Sequence, residues 1–83
     1  MKYRSRTEIV VAILEAADGG ATKTRIMYSA YLSYAQLKEY LSILLENELV
    51  EYDMSDLKYK TTQKGRRFIK IYNEMGGIVS PET

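Results

Sequence analysis

The side chains that could do chemistry in this sequence are mainly lysines, arginines and tyrosines, because the chain has no cysteine and no histidine. The absence of cysteine excludes disulfides, thiolate metal sites and cysteine nucleophiles. The absence of histidine removes the commonest general base and the commonest zinc ligand. A serine–lysine pair is formally available, but no spacing fixes one. We therefore expect no enzymatic activity, no metal site and no cofactor.

Basic and acidic residues are segregated along the chain, although the net charge is only +1. Residues 2–6 carry three basic residues, and residues 58–70 carry six basic residues and no acidic one. Residues 46–56 carry five acidic residues and no basic one. Such segregation can give a nearly neutral protein one strongly positive face. Each block alone is also typical of ordinary solvated surface, which is our interpretation of the strip formed by Arg66, Arg67 and Lys70.

The length of 83 residues allows one small domain. The longest apolar run, Ile9 to Leu14, is far shorter than the roughly 18 residues that a membrane-spanning helix needs. Glu8 and Glu15 flank this run, which also disfavours a signal peptide. Together with the absence of cysteine, these features favour a cytoplasmic location.

A first helix is predicted over residues 6–18. Ser5 and Glu8 have the spacing of a capping box, and apolar residues then recur at helical intervals. Gly19 and Gly20 adopt positive φ readily, so they are expected to end this helix.

Two further helices are predicted on either side of a turn of three residues. The second helix is short, over residues 23–29, and follows the capping residue Thr22. The turn over residues 30–32 leads to Ser33, which caps a third helix over residues 34–46. A short helix, a tight turn and a longer helix are the elements of a helix-turn-helix.

A β-hairpin and a last helix complete the chain. Alternating apolar residues on both sides of a polar turn over residues 53–56 predict two short strands, which form a wing. The last helix is predicted over residues 63–75 and is expected to end at Gly76 and Gly77. The expected fold is therefore mainly α with a small two-stranded β wing, in the order α-α-α-β-β-α.

The predicted domain covers residues 1–75, and residues 76–83 are expected to form a flexible tail. Gly65 lies inside the last helix, where glycine is unfavourable. We therefore expect this helix to pack closely against its neighbour at that position.

Four segments resemble the small archaeal winged-helix proteins, which include predicted transcriptional regulators and chromatin proteins with a C-terminal coiled-coil helix. The segments are EIVVAILEA over residues 8–16, KTRIMY over 23–28, LSY over 32–34 and YKTTQKG over 59–65. The resemblance implies a winged helix-turn-helix that binds double-stranded DNA, in transcription regulation or in chromosome organisation. Thr61 departs from the family pattern, which usually has an aliphatic residue there, so we expect slightly weaker packing of the second wing strand.

The order of the elements suits DNA, because the helix after the turn can enter the major groove while its partner helix and the wing contact phosphates. Gln36 and Ser42 lie on the outer face of that helix and can contact bases, although simple solvent exposure fits them equally well. Glu39 and Glu46 on the same face oppose tight binding. The predicted DNA-binding residues are Lys23, Arg25, Tyr31, Ser33, Tyr34, Gln36, Lys38, Ser42 and Lys58.

The cations and tyrosines near the turn have two interpretations. Lys23 and Arg25 stand at the start of the second helix, where cations do not stabilise a helix, and this favours an external phosphate over mere solubility. Tyr31 and Tyr34 lie near the expected groove entrance and are equally compatible with phosphate contact and with solvent. Core positions are predicted for Tyr28 and Tyr40.

A homodimer through the last helix is also predicted, with an interface formed by Phe68, Ile69, Tyr72 and Met75. Part of this apolar stripe must cover the domain's own core, and Ile69 and the end near Met75 are expected to face outward. The same surface of a second chain could then pack there. The resemblance favours this helix as the dimer element, but the expected end at Gly76 excludes a long rod.

The alternative to DNA binding is a protein-interaction winged helix within a larger assembly. The acidic stretch 46–56 and the glutamates Glu39 and Glu46 on the recognition face support this alternative.

Overall fold

The computed structural model describes the backbone of residues 4–79 and the side chains of residues 4–75. Four helices and one two-stranded antiparallel sheet follow one another in the predicted order, which confirms the mainly α fold with a β wing. The elements are α1 Arg6–Ala17, α2 Lys23–Ser29, α3 Tyr34–Glu46, β1 Val50–Asp53, β2 Lys58–Thr61 and α4 Gln63–Val79. No helix in this part of the chain is both long and apolar enough to cross a membrane.

Side-chain caps fix where the first three helices begin. Ser5 accepts a hydrogen bond from the Glu8 amide, and the Glu8 carboxylate accepts one from the Ser5 amide, so the predicted capping box is confirmed. Thr22 accepts from the Arg25 amide at the start of α2. These caps satisfy backbone N–H groups that have no partner within the helix.

The core lies where the inner faces of α1, α2 and α3 meet the base of the hairpin. The largest fully buried side chains are all aliphatic: Ile13, Leu14, Ile26, Leu37, Leu44 and Val50. Burying one such side chain contributes about 1.5–3 kcal/mol to stability relative to leaving it exposed.

The wing is connected to the loop before α2. In the hairpin, Val50 pairs with Thr61 and Asp53 with Lys58. Ala21 also pairs with Tyr59, and the two residues exchange backbone hydrogen bonds of 2.9 and 2.8 Å. The start of the helix-turn-helix is therefore held directly against the second wing strand.

Thr61 is buried and hydrogen-bonded, so the expected weaker packing of its strand is wrong. Its hydroxyl donates to the Leu14 carbonyl oxygen at 2.6 Å. At the end of α1 the Asp18 amide donates to Glu15, so the Leu14 carbonyl lies among the helix-end acceptors that need an outside partner. An aliphatic residue in place of Thr61 could not supply that donor.

Gly65 allows α4 to approach the hairpin closely, as predicted. A Cβ atom at Gly65 would collide with the carbonyl oxygen of Leu49 and would lie only 2.6 Å from Cγ2 of Thr61. This contact explains a glycine inside a helix, where it costs about 1 kcal/mol relative to alanine.

The predicted end and orientation of α4 need correction. The helix continues through Gly76 and Gly77 to Val79, because glycine tolerates helical φ and ends a helix only where its surroundings favour another conformation. The part of the predicted tail over residues 80–83 lies outside the described residues.

The outward position expected for Ile69 is also wrong. Ile69 is half-buried and packs against the core together with Phe68, whereas Ile71 and Met75 are exposed. The inner face of α4 is therefore rotated towards Ile69, because α4 packs against both α1 and β2.

Candidate nucleic-acid interface

The turn between α2 and α3 is tight and has a buried floor. Ala30 and Leu32 are buried, and the amide of Leu32 donates back to the Met27 carbonyl at 3.0 Å. Between them, Tyr31 adopts a φ of +56°, in the left-handed region that commonly ends a helix. This geometry fixes the angle at which α3 leaves α2.

α3 buries one face and exposes the other, as its periodicity predicts. Leu37, Leu41 and Leu44 point into the core. The opposite side has a surface depression lined by Ala35, Lys38, Glu39, Ser42 and Ile43. This outer face carries one cation, one acid and one hydroxyl.

Gln36 is less available for base contact than we expected. Its Oε1 accepts a hydrogen bond from the Ser33 amide at 3.0 Å, and the Ser33 hydroxyl accepts from the Gln36 amide at 3.2 Å. A bidentate contact with adenine needs that amide oxygen, so the capping box would have to open first. The Ser33-to-Gln36 spacing signals such a box, but the sequence interpretation did not use it.

Lys23 links the starts of α2 and α3. Its ammonium lies 5.4 Å from the centre of the Tyr34 ring, within the range of a cation–π contact. Arg25, Lys38 and Lys58 are exposed on α2, α3 and the wing. Among side chains of residues 4–75, none of these four cations forms an ion pair, so their charge is available to an anion.

Arg4 is a further cation at the turn, which the sequence interpretation missed. Its guanidinium donates to the Tyr31 carbonyl oxygen at 3.1 Å. The sequence indicated only a basic block at the start of the chain, because a contact across 27 residues leaves no local pattern.

The tyrosines around the turn are exposed. Tyr31 and Tyr34 are solvent-accessible, as the interface prediction requires, but Tyr28 is 71 % exposed and its predicted core position is wrong. α2 has only seven residues, and Ile26 occupies its single buried side, so Tyr28 points the other way. Tyr40 is half-buried and packs against the core.

Two carboxylates of the wing share one lysine. Lys60 pairs with Asp53 at 2.8 Å and with Asp56 at 3.1 Å. The hydrogen bond from Lys60 lowers the pKa of Asp53, and the same bond raises the pKa of Lys60. Lys58 is thus the wing cation best placed for an external anion.

Basic residues at the start of α4 instead bind the protein's own backbone. Lys64 donates to the Asn47 carbonyl at 3.0 Å, and Arg66 donates to the Thr61 carbonyl at 3.1 Å and approaches Asp18 at 3.4 Å. These contacts hold α4 against its neighbours.

Among the predicted interface residues, those near the turn come together in space. Lys23 contacts Tyr34, and Ser33 and Gln36 share the capping box at the start of α3. Lys38 and Ser42 lie further along the depression on α3. Lys58 lies on the wing, next to the pairing of Tyr59 with Ala21 in the loop before α2.

Comparison with known proteins agrees with this architecture. The chain is 30 % identical over 80 residues to the uncharacterized protein MJ0290 of Methanocaldococcus jannaschii, covering 95 % of this chain but 37 % of MJ0290. It is 28 % identical over 78 residues to MJ0287 of the same organism, covering 93 % of this chain and 78 % of MJ0287. The resemblance to archaeal proteins is thereby confirmed.

A solved structure and a family model give the fold independently. The structure of Sso10a-2, a DNA-binding protein from Sulfolobus solfataricus, is similar with a TM-score of 0.80 and 25 % identity, over 90 % of this chain and 81 % of that one. The winged helix-turn-helix family model matches residues 3–79. The chain therefore belongs to the winged helix-turn-helix family.

Proposed function

We propose that this chain is a DNA-binding protein that holds duplex DNA mainly through its phosphates, with α3 in the major groove. The observation that carries this proposal is the exposed outer face of α3. The cations of α2 lie beside the start of this helix, where Lys23 is over the Tyr34 ring. Membership of the winged helix-turn-helix family and similarity to a DNA-binding protein support it.

The proposed phosphate contacts come from three elements. Lys23 and Arg25 contact one strand from α2, Lys38 contacts it from α3, and Lys58 reaches the backbone from the wing. The hydroxyls of Tyr31, Ser33 and Tyr34 add hydrogen bonds at the groove entrance.

Base reading is the weaker part of the proposed interface. Ser42 is a small polar contact, Gln36 is engaged in its capping box, and Glu39 repels phosphate. We therefore expect the protein to discriminate little between DNA sequences. This favours a chromosome-organising role in the nucleoid over a regulator that reads one operator.

A salt titration with random-sequence duplex DNA tests this proposal. Log affinity should fall linearly with log salt, by about 0.9 per phosphate contact. Lys23→Glu with Arg25→Glu should weaken binding to every sequence and reduce the slope. The matched control is Arg67→Glu with Lys70→Glu, which makes the same charge change on the exposed side of α4. Equal binding by the parent and the Lys23/Arg25 variant would refute the docking.

A homodimer through α4 is part of the proposal. Ile71 and Met75 are 51 % and 57 % exposed and are four residues apart, so they form one apolar strip beside the half-buried Tyr72. Two copies packed along this strip would present two recognition helices, which is how helix-turn-helix proteins commonly gain affinity.

One observation favours protein interaction as a second candidate function. Met54 and Leu57 are 78 % and 64 % exposed at the wing tip, next to Asp53 and Asp56. Such a surface suits a basic partner with apolar side chains. If protein interaction is the function, the chain should have no salt-dependent affinity for duplex DNA.

A further inference from the structure

Three tyrosines within seven residues expose their rings to solvent around the turn. Tyr28, Tyr31 and Tyr34 are 71 %, 85 % and 55 % exposed, and none of them belongs to the core or packs against it. We call these residues the tyrosine patch. Clusters of exposed aromatic surface commonly mark a binding site.

The backbone at Tyr31 makes its side chain harder to explain by folding. Its φ of +56° is the conformation for which glycine is the usual residue at a helix end. A ring that is 85 % exposed adds almost nothing to packing. The turn needs this backbone conformation, which Glu48 and Leu57 also adopt elsewhere, but it does not need the ring, so the exposed side chain has no role in the fold.

Each residue of the tyrosine patch has a basic residue near its ring, near its backbone or one helical turn away. Lys23 lies over the ring of Tyr34 at 5.4 Å. Arg25 precedes Tyr28 by three residues, which puts both on the same exposed side of α2. Arg4 donates a hydrogen bond to the carbonyl of Tyr31.

Acidic residues are absent from this stretch of sequence. Residues 19–38 contain three basic residues and neither aspartate nor glutamate. No carboxylate from α2 or from the turn therefore opposes a polyanion beside the rings.

We propose that the tyrosine patch binds single-stranded nucleic acid, with unpaired bases stacked on the rings of Tyr28, Tyr31 and Tyr34. Lys23, Arg25 and Arg4 would hold the intervening phosphates. Alternating rings and cations are the means by which proteins bind single strands without reading sequence. A duplex cannot use the rings in this way, because its base faces are stacked on one another, so this activity goes beyond the proposed groove binding.

The test compares two strands with the same charge. Fluorescence anisotropy should show the full-length chain binding a 12-mer of deoxythymidine about tenfold or more tightly than an abasic 12-mer, because only the former has bases to stack. A 12-mer of uridine distinguishes DNA from RNA as the natural source. Equal affinity for the thymidine and abasic strands overturns the proposal.

Variants then locate the contact. Tyr28→Ser with Tyr31→Ser should weaken thymidine binding about tenfold or more, whereas Tyr28→Phe with Tyr31→Phe should keep it, because stacking needs the ring and not the hydroxyl. Met54→Ser with Leu57→Ser removes a similar exposed apolar surface from the wing and should change nothing. Unchanged binding by the serine pair, or equal loss by the phenylalanine pair, overturns the assignment.

A duplex assay on the same variants separates this inference from groove binding. Lys38→Glu should weaken duplex binding while thymidine binding persists. Tyr28→Ser alone, which keeps the Tyr31 hydroxyl for the duplex, should do the reverse. Duplex binding without any preference for thymidine over abasic strands would refute the tyrosine patch alone. Thymidine binding without duplex binding would refute the groove proposal alone.

Discussion

The hydroxyl of Thr61 in the second wing strand donates a 2.6 Å hydrogen bond to the carbonyl oxygen of Leu14 near the end of α1. This contact joins residues 47 positions apart and lies in the buried interior. It fixes the wing to the first helix at the point where the helix backbone needs a donor.

Replacing this hydroxyl should therefore destabilise the domain. Thr61→Val keeps the shape but leaves the Leu14 carbonyl buried without a partner, so the free energy of unfolding should fall by about 1–3 kcal/mol. Urea denaturation followed by circular dichroism measures the change. Thr61→Ser keeps the donor and should lose less than Thr61→Val; the opposite order would show that the methyl group matters more.

Removing one negative charge from the proposed groove face should strengthen DNA binding. Glu39→Gln removes repulsion between α3 and phosphate, so affinity for random duplex should rise without better discrimination between sequences. Glu74→Gln makes the same change on α4 and serves as the control in a parallel anisotropy titration. Weaker binding, or a lost preference for one sequence, would instead identify Glu39 as a reader of cytosine.

The proposed α4 dimer should depend on Ile71 and Met75. Ile71→Glu places a charge on the exposed strip, so sedimentation should show a shift from concentration-dependent dimer to monomer with the fold retained. Met54→Glu on the wing is the matched control and should leave association unchanged. Ile69→Glu is expected to unfold the domain, because Ile69 packs against the core. A parent chain that stays monomeric at high micromolar concentration would exclude the interface.

The ion pairs of the wing should make its stability depend on pH at both extremes. The lowered pKa of Asp53 means that its contribution is present above the ordinary value of 3.8 and is lost as the pH falls through the folded value. The raised pKa of Lys60 means that its contribution is present below 10.5 and is lost as the pH rises through its folded value. Both side chains are partly exposed, so the effect should be small.

Thermal unfolding from pH 2 to pH 7 checks this for parent and Asp53→Asn. The variant should be slightly less stable near neutrality, and the difference should vanish well below pH 3.8. Asp56→Asn, which keeps the shorter pair of Lys60 with Asp53, is the control. A difference that persists at pH 2 would mean that Asp53 stabilises the wing through its shape.

The start of each early helix could be predicted from sequence because its signal is local. Ser5, Thr22 and Ser33 act within three residues of themselves, and all three cap the helices as expected. The polar turn of the wing is similarly local: the connection between β1 and β2 spans residues 54–57, within one residue of the predicted turn over 53–56.

The orientation of α4 could not be predicted in the same way. Phe68 and Ile69 are adjacent, so periodicity alone cannot decide how far the inner face extends towards Ile69. The packing of α4 against α1 and β2 settles this, and that packing depends on the close approach at Gly65. The continuation of α4 through Gly76 could not be predicted either, because a glycine permits several backbone conformations and dictates none.

Some features of the candidate site follow from local sequence, and others depend on the tertiary structure. Exposure of Tyr31 and Tyr34 agrees with their position beside a turn. The error at Tyr28 came from treating a large ring as core material, when a helix of seven residues has only one inner side and Ile26 already fills it. The bond from Arg4 to Tyr31 depends entirely on how the chain returns in three dimensions.

The paired backbones of Ala21 and Tyr59 have a mechanical consequence. Their two hydrogen bonds, 2.9 and 2.8 Å long, join the loop before α2 to β2 as a short extension of the wing sheet. Lys23 and Lys58 are each within two residues of this backbone pair, so the spacing between their backbones is set before any ligand arrives. A duplex bound by both would order only the two side chains and not the loop.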